Sequence, residues 1–240
     1  RQGGTVHGVG RSGKRGIGNA TGRREVPSTG SVRRPSRIGC GWNRRSRGHR
    51  RLRRRARHSL PDAAHQAGAS VTLVAGPVHQ STPRGVVRVD VQSALQMQQA
   101  VEAQANRADV FIATAAVADW RVAHVAEQKI KKDGSGQLPV LSFAENPDIL
   151  AGVAATERAR SGQLYCVGFA AESHDLEAHA KAKRVKKNVP LLVGNIGPDT
   201  FGRDDNALLL VDAQGTHELP RADKLTLARQ LIAEIARRLA

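Results

Sequence analysis

The stretch ADVFIATAAV, Ala108–Val117, decides how the rest of the chain is read. Beyond Asp109 it carries no charge, and its apolar side chains do not alternate with polar ones. A strand with one wet face alternates with a period of two. A continuous apolar run bounded by turn signals instead reads as a strand buried on both faces, as in a parallel sheet covered by helices.

Working outward, the same grammar repeats. Upstream, Ser93 can cap a helix in which Ala94, Met97, Val101 and Ala105 recur at helical spacing. GVVRVDV and SVTLVAGP read as two further strands, the second closed by Gly-Pro. LPDAAHQAGA reads as a short helix with Pro61 in its first turn and Gly68 as its stop. Downstream come LPVLSF, a weaker strand, and NPDILAGVAATE, a helix expected to start at Asn146 with Pro147 in first position. YCVGFA and PLLVGN are strands around the helix HDLEAHAKAKRVKKN, on which Ala178, Ala182 and Val185 are expected to share one face and Lys183 and Lys187 the opposite one. NALLLVDA and THEL can pair across Gln214-Gly215, and the last helix carries a stripe of Leu225, Ala228, Leu231, Ile232, Ile235 and Leu239. Strand and helix in alternation predict an α/β, Rossmann-like, doubly wound and mostly parallel sheet.

The charge of the chain is not spread evenly. Of its 240 residues, the first 60 hold 18 Lys and Arg against the single acid Glu25, and the remainder holds 20 of each sign. The formal net charge of +17 therefore belongs to the first quarter and not to the folded part. The chain divides into residues 1–58, basic and poor in apolar side chains, and residues 59–240, which form the α/β domain. Residues 1–58 admit three readings: an arginine-rich arm for RNA or DNA phosphates, a plain disordered tail, or out-of-frame translation. The abrupt change of composition near Arg57 favours the third, and nucleic acid is a partner only through this segment. Cys40 and Cys166 form no paired motif, which fits a reduced, cytoplasmic chain, and the lack of an initiating Met fits a fragment of a longer one. No apolar run approaches the ~18–20 residues of a membrane span.

Ligands of doubly wound sheets bind at the carboxyl ends of the strands. There the sequence sets Asp119, Glu172 and Asn195, each following a strand, and the small run Ala113–Ala118, where a flat ligand can approach the backbone. Lys129, Lys131 and Lys132 follow, beside the flexible KKDGSGQ; alone they read either as a solvated loop or as a mobile flap over an anion. Lys183 and Lys187, one turn apart, either complement the helix dipole or act together on one phosphate group. AENPD offers a helix start, and FGRDDN reads as a tight loop more than a metal-facing acid pair. The nine histidines make no HxH or HExxH arrangement, and no GxSxG nucleophile motif occurs.

Taken in order, VTLVAGP, AAVADW, KIKK, NPDIL, VGFAAE, AKAKRVKKN and FGRDDN resemble the phosphopantothenate–cysteine ligase family, the synthetase half of the bacterial bifunctional phosphopantothenoylcysteine decarboxylase/synthetase. The resemblance covers about Ser59 to Ala240. It implies a cytoplasmic homodimer that uses CTP and Mg²⁺ to join 4′-phosphopantothenate to L-cysteine through an acyl-cytidylate. Carried over by motif, it implies that Ala113, Thr114 and Ala115 cradle the nucleotide and that Asp119 hydrogen-bonds its cytosine or ribose side. It further implies that Lys129 reaches the phosphates as the catalytic cation, and that Asn146, Pro147, Asp148 and Ile149 line the pocket. Phe169 would pack on the nucleotide, and Lys183 and Lys187 would complete the triphosphate site; the metal ligands stay unknown. Fixed cations and Mg²⁺ would then stabilise charge spreading onto pyrophosphate.

The chain departs from the family at its start. An N-terminal strand, a GPT turn and a segment like SSGKMG have no counterpart before Leu60; the echo GRSGKRG at Gly10–Gly16 stands too far from VTLVAGP and reads as chance. The sheet is thus expected to lack its first, central strand, which would expose the edges of its neighbours. The flavin-binding half is not represented, and no FMN is implied. The alternative to a ligase is an inactive nucleotide-binding module with a basic nucleic-acid arm.

Overall fold

The computed structural model describes residues 5–10, 59–125, 128, 131, 140–196 and 203–240, with backbone alone for 5–10 and Ile196. Strands β1 (Thr5–Gly10), β2 (Val71–Ala75), β3 (Val86–Asp90), β4 (Ala108–Ala113), β7 (Tyr165–Glu172), β8 (Leu191–Ile196), β9 (Asp205–Val211) and β10 (Thr216–Asp223) form one sheet in the order β10-β9-β8-β7-β4-β1-β2-β3. Two short strands, β5 (Trp120–Val122) and β6 (Phe143–Glu145), pair as a separate antiparallel ribbon. The helices are α1 (Ser59–Gln66), α2 (Ala94–Ala105), α3 (Ile149–Ala154), α4 (Glu157–Arg160), α5 (Leu176–Lys187) and α6 (Lys224–Leu239).

The continuous apolar runs became inner strands, as their burial demands. In β4, Ala108, Val110, Phe111 and Ile112 are fully enclosed, and β2 and β8 are nearly so. β2–β3, β4–β7 and β7–β8 are parallel pairs, whereas β9 and β10 append an antiparallel edge. Helices α1 and α6 pack together on one face of the sheet, and α2, α3 and α5 on the other. Ser93 caps α2 with a reciprocal capping box to Gln96, and Asp223 caps α6 through the N–H groups of Leu225 and Thr226. Gly68, at φ 87°, ends α1 as its position suggested.

Two expectations need correction, and on a third element the structure decides which of two faces is buried. The slot beside β4 is not empty: Thr5–Gly10 fills it, antiparallel to both β2 and β4, with Thr5 opposite Ala75 and Val6 opposite Ala113. Backbone groups of two buried strands must be paired, and this segment pairs them, although it belongs to the part of the chain set apart as basic and unstructured. Helix α3 starts at Ile149 and not at Asn146, because Asp148 is its N-cap and accepts from Ala151 N–H at 3.1 Å. On α5 the buried position is Ala180, while Ala178, Ala182 and Val185 are exposed, Val185 by 69%. The reason is Gly194 on β8, whose missing side chain leaves room for Leu176 and Ala180. Lys183 and Lys187 do lie opposite Ala178, Ala182 and Val185, as expected, but theirs is the face that borders the buried stripe.

Candidate functional site

The direction of strand order reverses around β1 and β4, so the carboxyl ends of β4 and β7 face the natural ligand crevice of this sheet. Ala113, Thr114 and Ala115 leave β4 half-buried, and Asp119 is exposed at the root of the ribbon. Asn146 ties that root shut. Its N–H donates to Asp119 O at 2.7 Å and its Nδ2 to Ala118 O at 2.8 Å. From β5, Arg121 Nη1 donates to Glu145 O and to Asn146 Oδ1, the latter at 3.4 Å. The AAVAD turn and the NPDI turn, 28 residues apart, thus form one surface.

Lysines on α5 meet this surface. Lys187 pairs with Asp148, and Lys183 Nζ lies 2.6 Å from Oε1 of Glu172, the last residue of β7. Burial pushes the Asp148 carboxyl up, but the Lys187 ammonium, the Ala151 N–H and the charge of Lys186 together outweigh it and hold the group below its ordinary 3.8. Each lysine is therefore already matched by a carboxylate. An anion entering here exchanges partners and does not meet bare positive charge.

Several expected members stand elsewhere. Ile149 is 7% exposed, so its side chain belongs to the core. Phe169 lies on the opposite face of the sheet from Glu172, three residues away on a strand of period two. It lines a small cavity with Leu60, Leu208, Lys224 and Leu227, beneath α1 and α6. Asn195, 3% exposed, is likewise buried. Lys129 and Lys132 lie outside the described residues, and Lys131 is exposed. Of FGRDDN, Phe201 and Gly202 lie outside them too, while Asp205 is held by Arg203 and Arg221 as a loop clasp. Among the described residues no group of three or more His, Cys, Asp and Glu side chains comes together to hold a metal.

Sequence reasoning missed Arg121 and the partner role of Glu172. For Arg121 the signal was period two: it points away from the face shared by Trp120 and Val122, toward Asn146. For Glu172 the signal was its place at the end of a strand next to a lysine-bearing helix, where an acid must find a cation.

A family model described as the DNA/pantothenate metabolism flavoprotein C-terminal domain matches residues 56–239. The coenzyme A biosynthesis bifunctional protein CoaBC of Vibrio cholerae is 47% identical over 173 residues, 71% of this chain and 43% of that protein. The protein of the same name from Escherichia coli is 45% identical over 184 residues, 75% of this chain and 45% of that protein. The chain thus spans less than half the length of these relatives. Among solved structures, the C-terminal domain of a coenzyme A biosynthesis bifunctional protein CoaBC aligns with a TM-score of 0.62 at 30% identity, covering 75% of this chain and 80% of that one.

Proposed function

The chain belongs to the DNA/pantothenate metabolism flavoprotein C-terminal domain family, and on that footing we propose that it is the ligase part of a coenzyme A biosynthesis enzyme. Its reaction joins 4′-phosphopantothenate to L-cysteine at the expense of CTP. The carboxylate of 4′-phosphopantothenate attacks the α-phosphorus of CTP and pyrophosphate leaves. The cysteine amine then attacks the acyl-cytidylate carbonyl, CMP leaves, and an amide remains.

One observation carries this reading. The turn after β4, the Asn146–Asp148 turn and the two lysines of α5 form a single surface at the strand ends, from segments that are distant in sequence. In the reading, Ala113–Ala115 and Asp119 hold the nucleoside, and Asn146 keeps their turn in place. Lys183 and Lys187 leave their carboxylates for the β- and γ-phosphates, and Lys129 is assigned to the same phosphates from the segment beyond β5. Such cations stabilise the charge that develops on pyrophosphate. Among the described residues no cluster of side chains forms a cage for Mg²⁺; the ion would arrive with the nucleotide, held by its phosphates.

The ribbon supports a homodimer as the working form. Trp120, Val122 and Phe143 share the face turned away from Arg121, and Trp120 and Phe143 are 62% and 61% exposed. Val140 and Leu141, just before the second strand of the ribbon, are exposed as well, and apolar surface of this kind is suited to a second copy.

The test is turnover by the full chain. Pyrophosphate release that needs 4′-phosphopantothenate, and CMP release that needs cysteine as well, are the expected results. Lys183→Ala should weaken binding of CTP with Mg²⁺ at least tenfold and that of CMP far less. Equal affinity of wild type and variant for CTP would remove Lys183 from the site. A second reading, a module that binds the nucleotide without turnover, is favoured by one feature. Because β1 is reversed, Gly10 lies opposite Ala108 at the edge of the sheet away from the site, so the carboxyl end of β1 does not point at the phosphates. CTP binding without pyrophosphate release would support that reading over the first.

A further inference from the structure

Glu172 is held by charge without directed bonds. Its side chain is 13% exposed, with Lys183 Nζ 2.6 Å from Oε1 and His179 Nδ1 3.6 Å from Oε2. Despite that closeness, Oε1 has no hydrogen bond of acceptable geometry, nor does His179 Nδ1, and both atoms are buried. His179 and Lys183 sit one turn apart on α5, so the carboxylate lies between an ammonium and an imidazole. On the outer side the His174 ring meets the His179 ring edge-on at 5.2 Å, and Ser173 Oγ lies 2.8 Å from His174 Nδ1.

A carboxylate this enclosed cannot be left without a cation at small cost. In the structure Lys183 is that cation. Once a triphosphate draws Lys183 away, a replacement must come from what faces Glu172. Lys187, paired with Asp148 at the N-cap of α3, is itself assigned to the phosphates, and Lys181 is engaged by Glu177 on the outer side of α5. Arg184 donates to Val189 O, and β8 (Leu191–Ile196) carries no charged residue. On β9, Asp205 is held by Arg203 and Arg221. Asp175, one turn before His179, adds only negative charge. His179 is left as the neighbour, and imidazole is the side chain whose charge can follow near neutral pH.

We propose that His179 takes up a proton when the triphosphate binds, and so replaces Lys183 as the cation of Glu172. The inference rests on the reading of this surface as the nucleotide site. The exchange balances simply: the Lys183 charge passes to a phosphate oxygen, one proton passes from the buffer to an imidazole nitrogen of His179, and the only covalent bond formed is that N–H. His179 is thereby a positioning residue, since it releases Lys183 without touching the ligand.

Calorimetry of the full chain with CTP and Mg²⁺, slightly above neutral pH and in buffers of different ionisation enthalpy, gives the number of protons taken up. Wild type should show a net uptake approaching one proton. His179→Gln should lose most of it and bind CTP more weakly, by roughly tenfold at most. Glu172→Gln should also lose the uptake, without that loss of affinity, because no buried charge is stranded. CMP, which lacks the phosphates assigned to Lys183, should bind with little uptake, and His174→Gln should behave as wild type. Equal uptake in wild type and His179→Gln, or loss of uptake in His174→Gln alone, would overturn the inference while leaving the nucleotide site in place. Failure of the wild type to bind CTP would overturn that site and the inference with it.

Discussion

Asp148 does two jobs that substitution can separate. Its side chain caps α3 through Ala151 N–H, and its charge pairs with Lys187. Replacing a capping Asp with Ala costs about 1 kcal/mol. The pair is only part-buried, its side chains 45% and 27% exposed, and is therefore worth at most about 1 kcal/mol after solvent screening. Asp148→Ala should thus lose about 1–2 kcal/mol, and Asp148→Asn, which keeps an acceptor oxygen for Ala151, only the part due to the pair. For a domain of this size each kcal/mol moves Tm by about 2–4 °C, so thermal unfolding at neutral pH resolves the two variants. The pH dependence has a fixed sign. The folded carboxyl is held below its ordinary 3.8, so its stabilising charge is fully present above the unfolded value and is lost as pH falls through the folded one. The gap between wild type and Asp148→Asn should hold from neutrality down and close only below about pH 4. An Asn variant as unstable as the Ala variant, or a gap already closed at neutral pH, would refute the division into cap and charge.

Deleting residues 1–10 should expose the facing edges of β2 and β4 and sharply lower the Tm. Urea unfolding and light scattering would check this, and an unchanged midpoint would show that β1 contributes nothing to the sheet. Leu231→Ala empties a fully enclosed position on α6, against α1 and the sheet; the expected loss in chemical denaturation is about 2–5 kcal/mol.

The parts of the fold that were legible in sequence share one cause. Where burial is two-sided, as in Phe111–Ile112 or Leu191–Val193, composition alone marks the strand. Where a cap is chemical, as at Ser93, one side chain marks the helix start. The errors came where long-range partners decide. Nothing in LEAHAKAKRVKK says which face will be buried; Gly194, on the next strand, chooses Ala180 by leaving room for it. That choice also turns Lys183 and Lys187 toward the strand ends. Helix α3 began two residues later than Pro147 suggested, because Asp148 was needed outside the helix as its cap.

The reversed strand shows the same limit from the other side. TVHGVG has no apolar run to mark a central strand, and it sits among charges that argue for an unpaired arm. What places it is the demand of β2 and β4, two largely buried strands that would otherwise lack a partner between them. A ladder can be satisfied in either direction, since each residue supplies one donor and one acceptor whichever way the chain runs. Stability therefore accepts a reversed strand, whereas chemistry at the carboxyl edge depends on direction, because only a strand that runs parallel to β4 delivers its following turn to the ligand. The remaining cations, Lys183 and Lys187, come from α5 and are indifferent to β1. Under the proposed function, nucleotide binding and turnover would thus depend on different parts of this sheet, and the two should be lost separately.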